Sequence, residues 1–228
     1  MLKTAKHTTA ILIFANSAST EFELKPFAKS AALFEALNKE TLVKVKKTKL
    51  PYFHFTEKEQ LGTSFGERFV NAIQEVYQKG FDTIITIGND SPQLKAAHLL
   101  EAYKQLQLGK TVLGPTFDGG FYLMGLHKAN FNASLFKRLP WQRFGLFNRI
   151  SQLFENNNSQ LFRLPVFEDI DTERDVAILL NFTKTLSSFI LLLLNKISSY
   201  LDTIFPKQEN ISHTNFSLSF YNKGSPLL

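Results

Sequence analysis

Two aspartates follow short apolar runs in this chain, and their positions suggest metal and phosphate chemistry. Asp90 follows the apolar stretch 84–87, and Asp118 follows the stretch 112–115. In open α/β sheets, ligands bind at the carboxyl ends of the strands, where loops from several strands meet. A carboxylate at such a position loses hydration unless a cation compensates, and a divalent cation with phosphate oxygens would do so. We therefore predict a metal-assisted enzyme that acts on a nucleotide diphosphate.

Each aspartate also has an ordinary structural interpretation. Asp90 precedes Ser91–Pro92, and we expect this pair to start a helix as its N-cap and first-turn proline. Asp90 is then either a ligand beside that helix or a second cap residue. Asp118 is followed by Gly119 and Gly120, which form either a loop that approaches a substrate closely or a tight hairpin turn. Because Asp118 ends the next strand, we expect it to lie beside Asp90.

Strand and helix patterns alternate along the first 184 residues. Ser64 and Glu67 form a capping box that predicts a helix start. Residues 185–228 are predicted to form a C-terminal helical extension, and residues 1–184 a three-layer α/β/α domain with a mostly parallel sheet and right-handed crossovers. Strands are predicted over 9–15, 52–55, 81–88, 111–115, 121–126 and 161–167, and helices over 26–47, 64–80, 91–109 and 172–184.

Composition excludes some functional classes. The 228 residues contain no cysteine, which excludes disulfides and thiolate metal sites. The net charge is +6, but the positive residues are scattered apart from those in 44–49, which should complement a helix end, so no nucleic-acid partner is expected. Lys3 and Lys6 precede an apolar stretch that is too short for a signal peptide. We predict that this stretch is the first strand and that the protein is cytoplasmic.

The C-terminal extension combines an apolar helix with a polar tail. The segment 186–205 has apolar helical spacing, and packing on the domain or on a second copy in a homodimer is favoured over contact with a membrane surface. In the tail from Pro206, the alternation over 216–220 indicates an edge strand.

Six segments of the chain form a recognisable set of motifs: Phe65–Arg68, Ile87–Pro92, Leu113–Pro115, Asp118–Gly125, Pro140–Trp141 and Asp169–Thr172. Together they resemble a bacterial family of glycosyltransferase-like proteins associated with radical-SAM and selenodomain proteins, long filed as a domain of unknown function. The resemblance covers about residues 9–182 and implies a GT-A fold, the nucleotide-diphospho-sugar transferase architecture, related to cofactor guanylyltransferases.

One loop departs from the family pattern. The family usually opens with a Lys/Pro/Gly-rich loop that ends in Lys-Thr-Arg and would hold the nucleotide. Here the stretch 16–21 has no cation, and only Lys25 and Lys29 are near. Charge-assisted contacts are the strong ones, so phosphates should be held less tightly. Either Lys25, Lys29 or Arg68 takes the place of the missing cations, or nucleotide binding is weakened or lost.

The resemblance implies a divalent metal, Mg²⁺ or Mn²⁺, that bridges the diphosphate. Asp90 would be a metal ligand, although Gly88 stands where an Asp-x-Asp motif would have its first aspartate. Asp169 or Asp171 would complete the metal shell, and we select Asp171, whose alternative is a turn residue before a helix capped by Thr172.

Asp118 would be the catalytic residue, since it could orient the sugar or deprotonate the acceptor hydroxyl. Trp141 could stack on a sugar or base, or belong to the core. The predicted substrate-binding residues are Gly119, Gly120, Phe121 and Trp141, and the predicted nucleotide-binding residues are Ala15, Asn16, Lys25, Arg68 and Asn89.

The expected function is that of a metal-dependent glycosyltransferase with a nucleotide-diphosphate sugar donor and a small-molecule acceptor. Phe121–Tyr122 favours it over the alternative, a guanylyltransferase-like nucleotidyltransferase acting on a phosphorylated small molecule, because such relatives tend to be more polar there. A third alternative, motivated by the missing cationic loop, is a non-catalytic nucleotide-binding or scaffold protein on a degenerate GT-A fold.

Overall fold

Six strands and eight α-helices are found in the part of the chain that the computed structural model describes, residues 8–143, 145–156 and 160–204. The strands are β1 (Thr9–Phe14), β2 (Tyr52–Phe55), β3 (Thr83–Ile87), β4 (Thr111–Pro115), β5 (Phe121–His127) and β6 (Leu161–Arg163). The helices are α1 (Ala18–Leu24), α2 (Ser30–Lys47), α3 (Phe65–Gln78), α4 (Ala96–Gln107), α5 (Ala133–Lys137), α6 (Leu146–Asn156), α7 (Glu173–Leu179) and α8 (Ser188–Ile204).

The strands form one sheet in the order β2-β1-β3-β5-β4-β6. β1 pairs in parallel with β2 and β3, and β4 pairs in parallel with β6. β5 runs antiparallel between β3 and β4. The predicted mostly parallel sheet is therefore confirmed, but β4 is not the neighbour of β3. A hairpin strand separates the two strands that carry Asp90 and Asp118.

The sheet is covered by helices on both faces, which confirms the predicted three-layer α/β/α domain. Alternate residues of β1 divide between two cores, as the period of a strand requires. Ala10, Leu12 and Phe14 pack with α3, α5 and α6. Ile11 and Ile13 pack on the opposite face with α4 and part of α2.

The capping box at the start of α3 is confirmed. Ser64 is the N-cap, its hydroxyl accepts from the Glu67 amide at 3.2 Å, and the Glu67 carboxylate accepts from the Ser64 amide at 3.3 Å. These paired contacts satisfy amides that a helix end leaves without partners. They fix the turn that presents Phe65 and Arg68 to the carboxyl edge of the sheet.

Two local predictions near this edge are wrong. Ser91–Pro92 does not start a helix, because α4 begins at Ala96 after a turn in which the Leu94 amide donates to Ser91 O at 3.1 Å. Asp90 therefore does not precede a helix N-terminus directly. The segment read as a loop after β1 contains α1, with Ser17 as its N-cap. Short polar helices such as α1 lack the apolar periodicity that predicts longer ones.

The C-terminal apolar helix packs on the domain, as the favoured interpretation expects. Ile190, Leu194 and Ile197 of α8 are buried against side chains of α2 and α7. Within the described ranges, no helix is long and apolar enough to cross a membrane. The predicted edge strand over 216–220 and the lysines Lys3 and Lys6 lie outside the described residues, and the domain boundary after residue 184 stays a prediction.

Candidate active site

A cleft of about 660 Å³ lies along the carboxyl edge of the sheet. It is lined by residues that follow β1, β3 and β4, the edge where the sequence placed the site. Of the twelve predicted site residues, all but Gly119 line it: Ala15, Asn16, Lys25, Arg68, Asn89, Asp90, Asp118, Gly120, Phe121, Trp141 and Asp171. Glu21, Gln60, Arg143 and Asp169 also line it, although we predicted no role for the first three.

Asp118 lies in the hairpin that joins β4 to β5. Its Oδ1 accepts from the Gly120 amide at 2.9 Å and from the Thr116 hydroxyl. Gly119, at φ 90°, adopts the left-handed conformation that favours glycine. The alternative of a tight turn is therefore correct for Asp-Gly-Gly. The same turn nevertheless holds the Asp118 carboxylate in the cleft.

Three aspartates meet at this edge. Oxygen atoms of Asp118, Asp169 and Asp171 lie within 4.8 Å of one another, as a shared cation would require. The segment that carries Asp169 and Asp171 is tied to the end of β3, because the Ile170 amide donates to Asp90 O at 3.0 Å. Thr172 is the N-cap of α7, so the alternative that we left open for this turn is also realised.

Burial and the neighbouring carboxylates together change the acidity of Asp169. Burial, followed by the charges of Asp90, Asp118 and Asp171, raises the pKa of Asp169 from 3.8 to about 8. Desolvation and like charges both disfavour the ionised form. At neutral pH and without a bound cation, Asp169 therefore keeps a proton that an isolated aspartate would have lost.

Lys25 is enclosed by oxygen atoms on the other side of this cluster. Its ammonium nitrogen lies 2.7 Å from Asp171 Oδ1, 3.1 Å from Asp90 Oδ2 and 3.1 Å from Ile170 O. Glu21 Oε2 is 3.6 Å away. Burial opposes the charge of Lys25, but the charges of Asp90, Asp171 and Glu21 raise the pKa of its ammonium above the ordinary value.

An ammonium has three N–H donors, and the three close oxygens account for them. Lys25 thus serves as an internal counter-ion in this structure, and its role as a phosphate ligand stays a prediction. Asp90 is likewise engaged by Lys25 and is not one of the three clustered aspartates, so its assignment as a metal ligand stays a prediction. Lys29, the other cation considered, does not line the cleft and has its ammonium 5.1 Å from the centre of the Tyr200 ring.

The predicted nucleotide residues at the ends of β1 and β3 are linked by hydrogen bonds. Asn89 Nδ2 donates to Asn38 Oδ1 at 2.8 Å, and Asn38 Nδ2 donates to Asn16 O at 3.2 Å. Asn16 Nδ2 donates to Glu21 Oε1 at 3.0 Å. Burial raises the pKa of Glu21, with Asp90 adding to the effect of burial and Lys25 opposing it. These side chains form a hydrogen-bonded network beside the lysine.

Trp141 forms one wall of the cleft and is bonded as a core residue would be. Its indole Nε1 donates to Phe136 O at 2.7 Å. The centre of its ring lies 5.4 Å from that of Phe65 and 6.1 Å from that of Phe121. A Cβ added at Gly66 would lie 2.5 Å from Trp141 Cδ1, so the glycine permits this close approach. Only the part of the ring that faces the cleft is available to a ligand.

The roles that we did not predict depend on contacts distant in sequence. Glu21 escaped notice because α1 was read as a loop, and Arg143 because no motif surrounds it. The proximity of Asp118 to Asp169 had a partial signal, since both follow strands that end at the same edge.

A family model described as an uncharacterized protein conserved in bacteria (DUF2064) matches residues 30–143, half of the chain. The chain belongs to this family. Comparison with curated proteins gives no match.

Two solved structures share the fold. One, from Desulfovibrio desulfuricans G20 and provisionally named a nucleotide-diphospho-sugar transferase, is 22% identical with a TM-score of 0.71, over 86% of this chain and 98% of that one. The other, a 4-diphosphocytidyl-2C-methyl-D-erythritol synthase from Anaerococcus prevotii DSM 20548, is 12% identical with a TM-score of 0.51, over 78% of this chain and 99% of that one. The chain therefore has a nucleotide-diphospho-sugar transferase fold, as the resemblance implied. Fold alone does not fix the reaction.

Proposed function

We propose that the chain is a divalent-metal-dependent glycosyltransferase that takes a sugar from a nucleotide-diphosphate donor to a small-molecule acceptor. The observation that carries the proposal is the meeting of Asp118, Asp169 and Asp171 in a cleft at the carboxyl edge of this fold.

The three carboxylates suit a hard cation such as Mg²⁺ or Mn²⁺. These ions prefer carboxylate and phosphate oxygens, and Mg²⁺ is usually held by one or two carboxylates together with substrate phosphates. The raised pKa of Asp169 supports this fit, because burial and the neighbouring carboxylates disfavour its negative charge and a bound cation would compensate both. When bound, the metal would neutralise the charge that develops on the leaving diphosphate.

The charge balance of the cleft explains why a metal would be needed. Among the described residues, five carboxyl groups line the cleft, against three cationic side chains. Even with Asp169 protonated, the negative charges outnumber the positive ones, so the nucleotide should bind together with a divalent cation. Glu21, Asp90 and Asp171 pair with Lys25, and Asp171 also faces Asp118 and Asp169.

We assign the acceptor hydroxyl to Asp118. Its Oδ1 is fixed by Thr116 and Gly120, and its Oδ2 makes no hydrogen bond with the described residues. The carboxylate would accept the hydroxyl proton while the acceptor oxygen bonds to the anomeric carbon. The bond from that carbon to the diphosphate oxygen breaks, and the nucleoside diphosphate leaves with the electron pair. Asn16, Asn89 and the exposed edge of Trp141 would position the donor.

The test has a binding step and a turnover step. Mn²⁺ binding is measured by calorimetry for the wild type and for Asp118→Asn, Asp169→Asn and Asp171→Asn. Glu23→Gln is the matched control, because it removes a carboxylate that is exposed on α1 and does not line the cleft. We expect Mn²⁺ affinity to fall at least tenfold in each aspartate variant and to stay unchanged in the control.

Turnover is then measured with nucleotide sugars and nucleoside triphosphates in parallel, in the presence of Mg²⁺ or Mn²⁺. Release of a nucleoside diphosphate from a nucleotide sugar would support the proposal if it is lost in Asp118→Asn at a Mn²⁺ concentration that saturates the variant. Release of pyrophosphate from a triphosphate without sugar-nucleotide turnover would overturn it in favour of a nucleotidyltransferase. Absence of both metal binding and turnover would favour the scaffold alternative.

A further inference from the structure

The cations of the cleft differ in their ion pairs. Lys25 pairs with Glu21, Asp90 and Asp171. Arg68 and Arg143 line the same cleft, and neither takes part in an ion pair among the described residues. Their guanidinium groups therefore lie beyond ion-pair distance of the carboxylates that line the cleft.

The two arginines lie on segments that are clamped together. Arg68 belongs to the first turn of α3, which the capping box fixes. Arg143 follows two residues after Trp141, whose ring contacts Phe65 at 5.4 Å and lies against Gly66 of the same turn. The two arginines therefore belong to neighbouring segments of the cleft, beside the wall formed by Trp141.

Arg68 has no anionic partner among the described residues. Arg68 is half-buried, and removing a charge from water is costly unless an opposite charge compensates. Lys25 uses its donors within the protein, so the arginines are the cleft's remaining cations. A guanidinium presents a planar pair of donors that matches two oxygens of a phosphate.

We propose that Arg68 and Arg143 form an oxyanion subsite that binds a phosphate group of the substrate. The inference rests on the proposed function for placing the substrate in this cleft. The phosphate belongs either to the diphosphate of the donor or to a phosphorylated acceptor, and the two sources share the same chemistry.

The experiment measures the binding of inorganic pyrophosphate, a nucleoside diphosphate and a sugar monophosphate by calorimetry, with Mg²⁺ and with EDTA. The variants are Arg68→Gln, Arg143→Gln and the double variant. Arg149→Gln is the matched control, since it removes an exposed arginine that does not line the cleft. Urea denaturation of each variant establishes that it is folded.

We expect Arg68→Gln to weaken pyrophosphate binding at least tenfold, the double variant to weaken it further and Arg149→Gln to leave it unchanged. If the nucleoside diphosphate shows the same loss as pyrophosphate, the donor is the source of the phosphate. If the sugar monophosphate shows that loss and the nucleoside diphosphate does not, the acceptor is the source. The inference is overturned if the wild type binds no oxyanion. It is also overturned if the folded variants Arg68→Gln, Arg143→Gln and Arg149→Gln all bind pyrophosphate equally.

Failure of this inference is distinguishable from failure of the proposed function. The arginine variants should bind Mn²⁺ like the wild type, because the clustered aspartates are untouched. If Mn²⁺ binds through those aspartates but oxyanion binding is unchanged in the arginine variants, only the subsite is refuted. If oxyanions require Arg68 while no metal binds, the metal-dependent mechanism is refuted and the subsite stands.

Discussion

Replacing Lys25 with methionine tests whether the lysine is an internal counter-ion. The substitution keeps a long side chain but removes the ammonium that lies between Glu21, Asp90 and Asp171. These carboxylates would then face one another without compensation. The variant should fold, but with a lower free energy of unfolding than the wild type.

The magnitude follows from the exposure of the partners. Breaking a fully buried ion pair by removing one partner costs about 3–5 kcal/mol, whereas an exposed pair contributes about 0–1 kcal/mol. The Lys25 and Glu21 side chains are 18% and 7% exposed, but Asp90 and Asp171 are 29% and 49% exposed. Solvent screening therefore reduces the loss, and we expect about 2–3 kcal/mol.

The assay is urea denaturation at pH 7.5 in EDTA, with Lys39→Met as the matched control. Lys39 pairs with Glu35 on the surface, where the two side chains are 73% and 63% exposed, so its replacement should cost less than about 0.5 kcal/mol. Added Mg²⁺ should stabilise Lys25→Met more than the wild type, because the variant lacks a cation. A loss for Lys25→Met no greater than that for Lys39→Met would refute the counter-ion role.

Three other substitutions test the cluster, the hairpin and a cap. The pKa of Asp169 is raised from 3.8 to about 8, so between pH 3.8 and pH 8 the folded state binds more protons than the unfolded state. The free energy of unfolding should therefore fall as the pH rises through this range. Asp169→Asn should flatten this fall in urea denaturation at pH 5–8 with EDTA; parallel wild-type and variant curves would contradict it. Gly114→Ala would place its Cβ 2.4 Å from Tyr122 Cζ, so thermal unfolding should show a loss of about 1–3 kcal/mol, and a neutral outcome would mean that the ring moves freely. Ser64→Ala removes the α3 cap and should cost about 1 kcal/mol in chemical denaturation, whereas Ser64→Thr should retain most of it.

The class of fold could be predicted from the sequence because its signals are local. Apolar runs ending at glycine or aspartate, and the Ser64–Glu67 capping box, follow from backbone preferences within a few residues. They located β1, β3, β4 and α3 and the edge where the site lies. Local patterns could not place β5 between β3 and β4, since pairing depends on long-range hydrogen bonds. They also misplaced the start of α4, because Ser91–Pro92 forms a turn instead of a cap.

By itself, the sequence determined that aspartates would gather at the carboxyl edge of an α/β sheet, because strand direction brings successive strand ends together. Only the tertiary structure decided how those aspartates divide. Asp90 pairs with Lys25, Asp118 meets Asp169, and Asp171 does both. The physical reason is that electrostatic energy depends on distances of a few ångströms between groups remote in sequence, such as Glu21, Lys25 and Asp171. No local pattern encodes those distances.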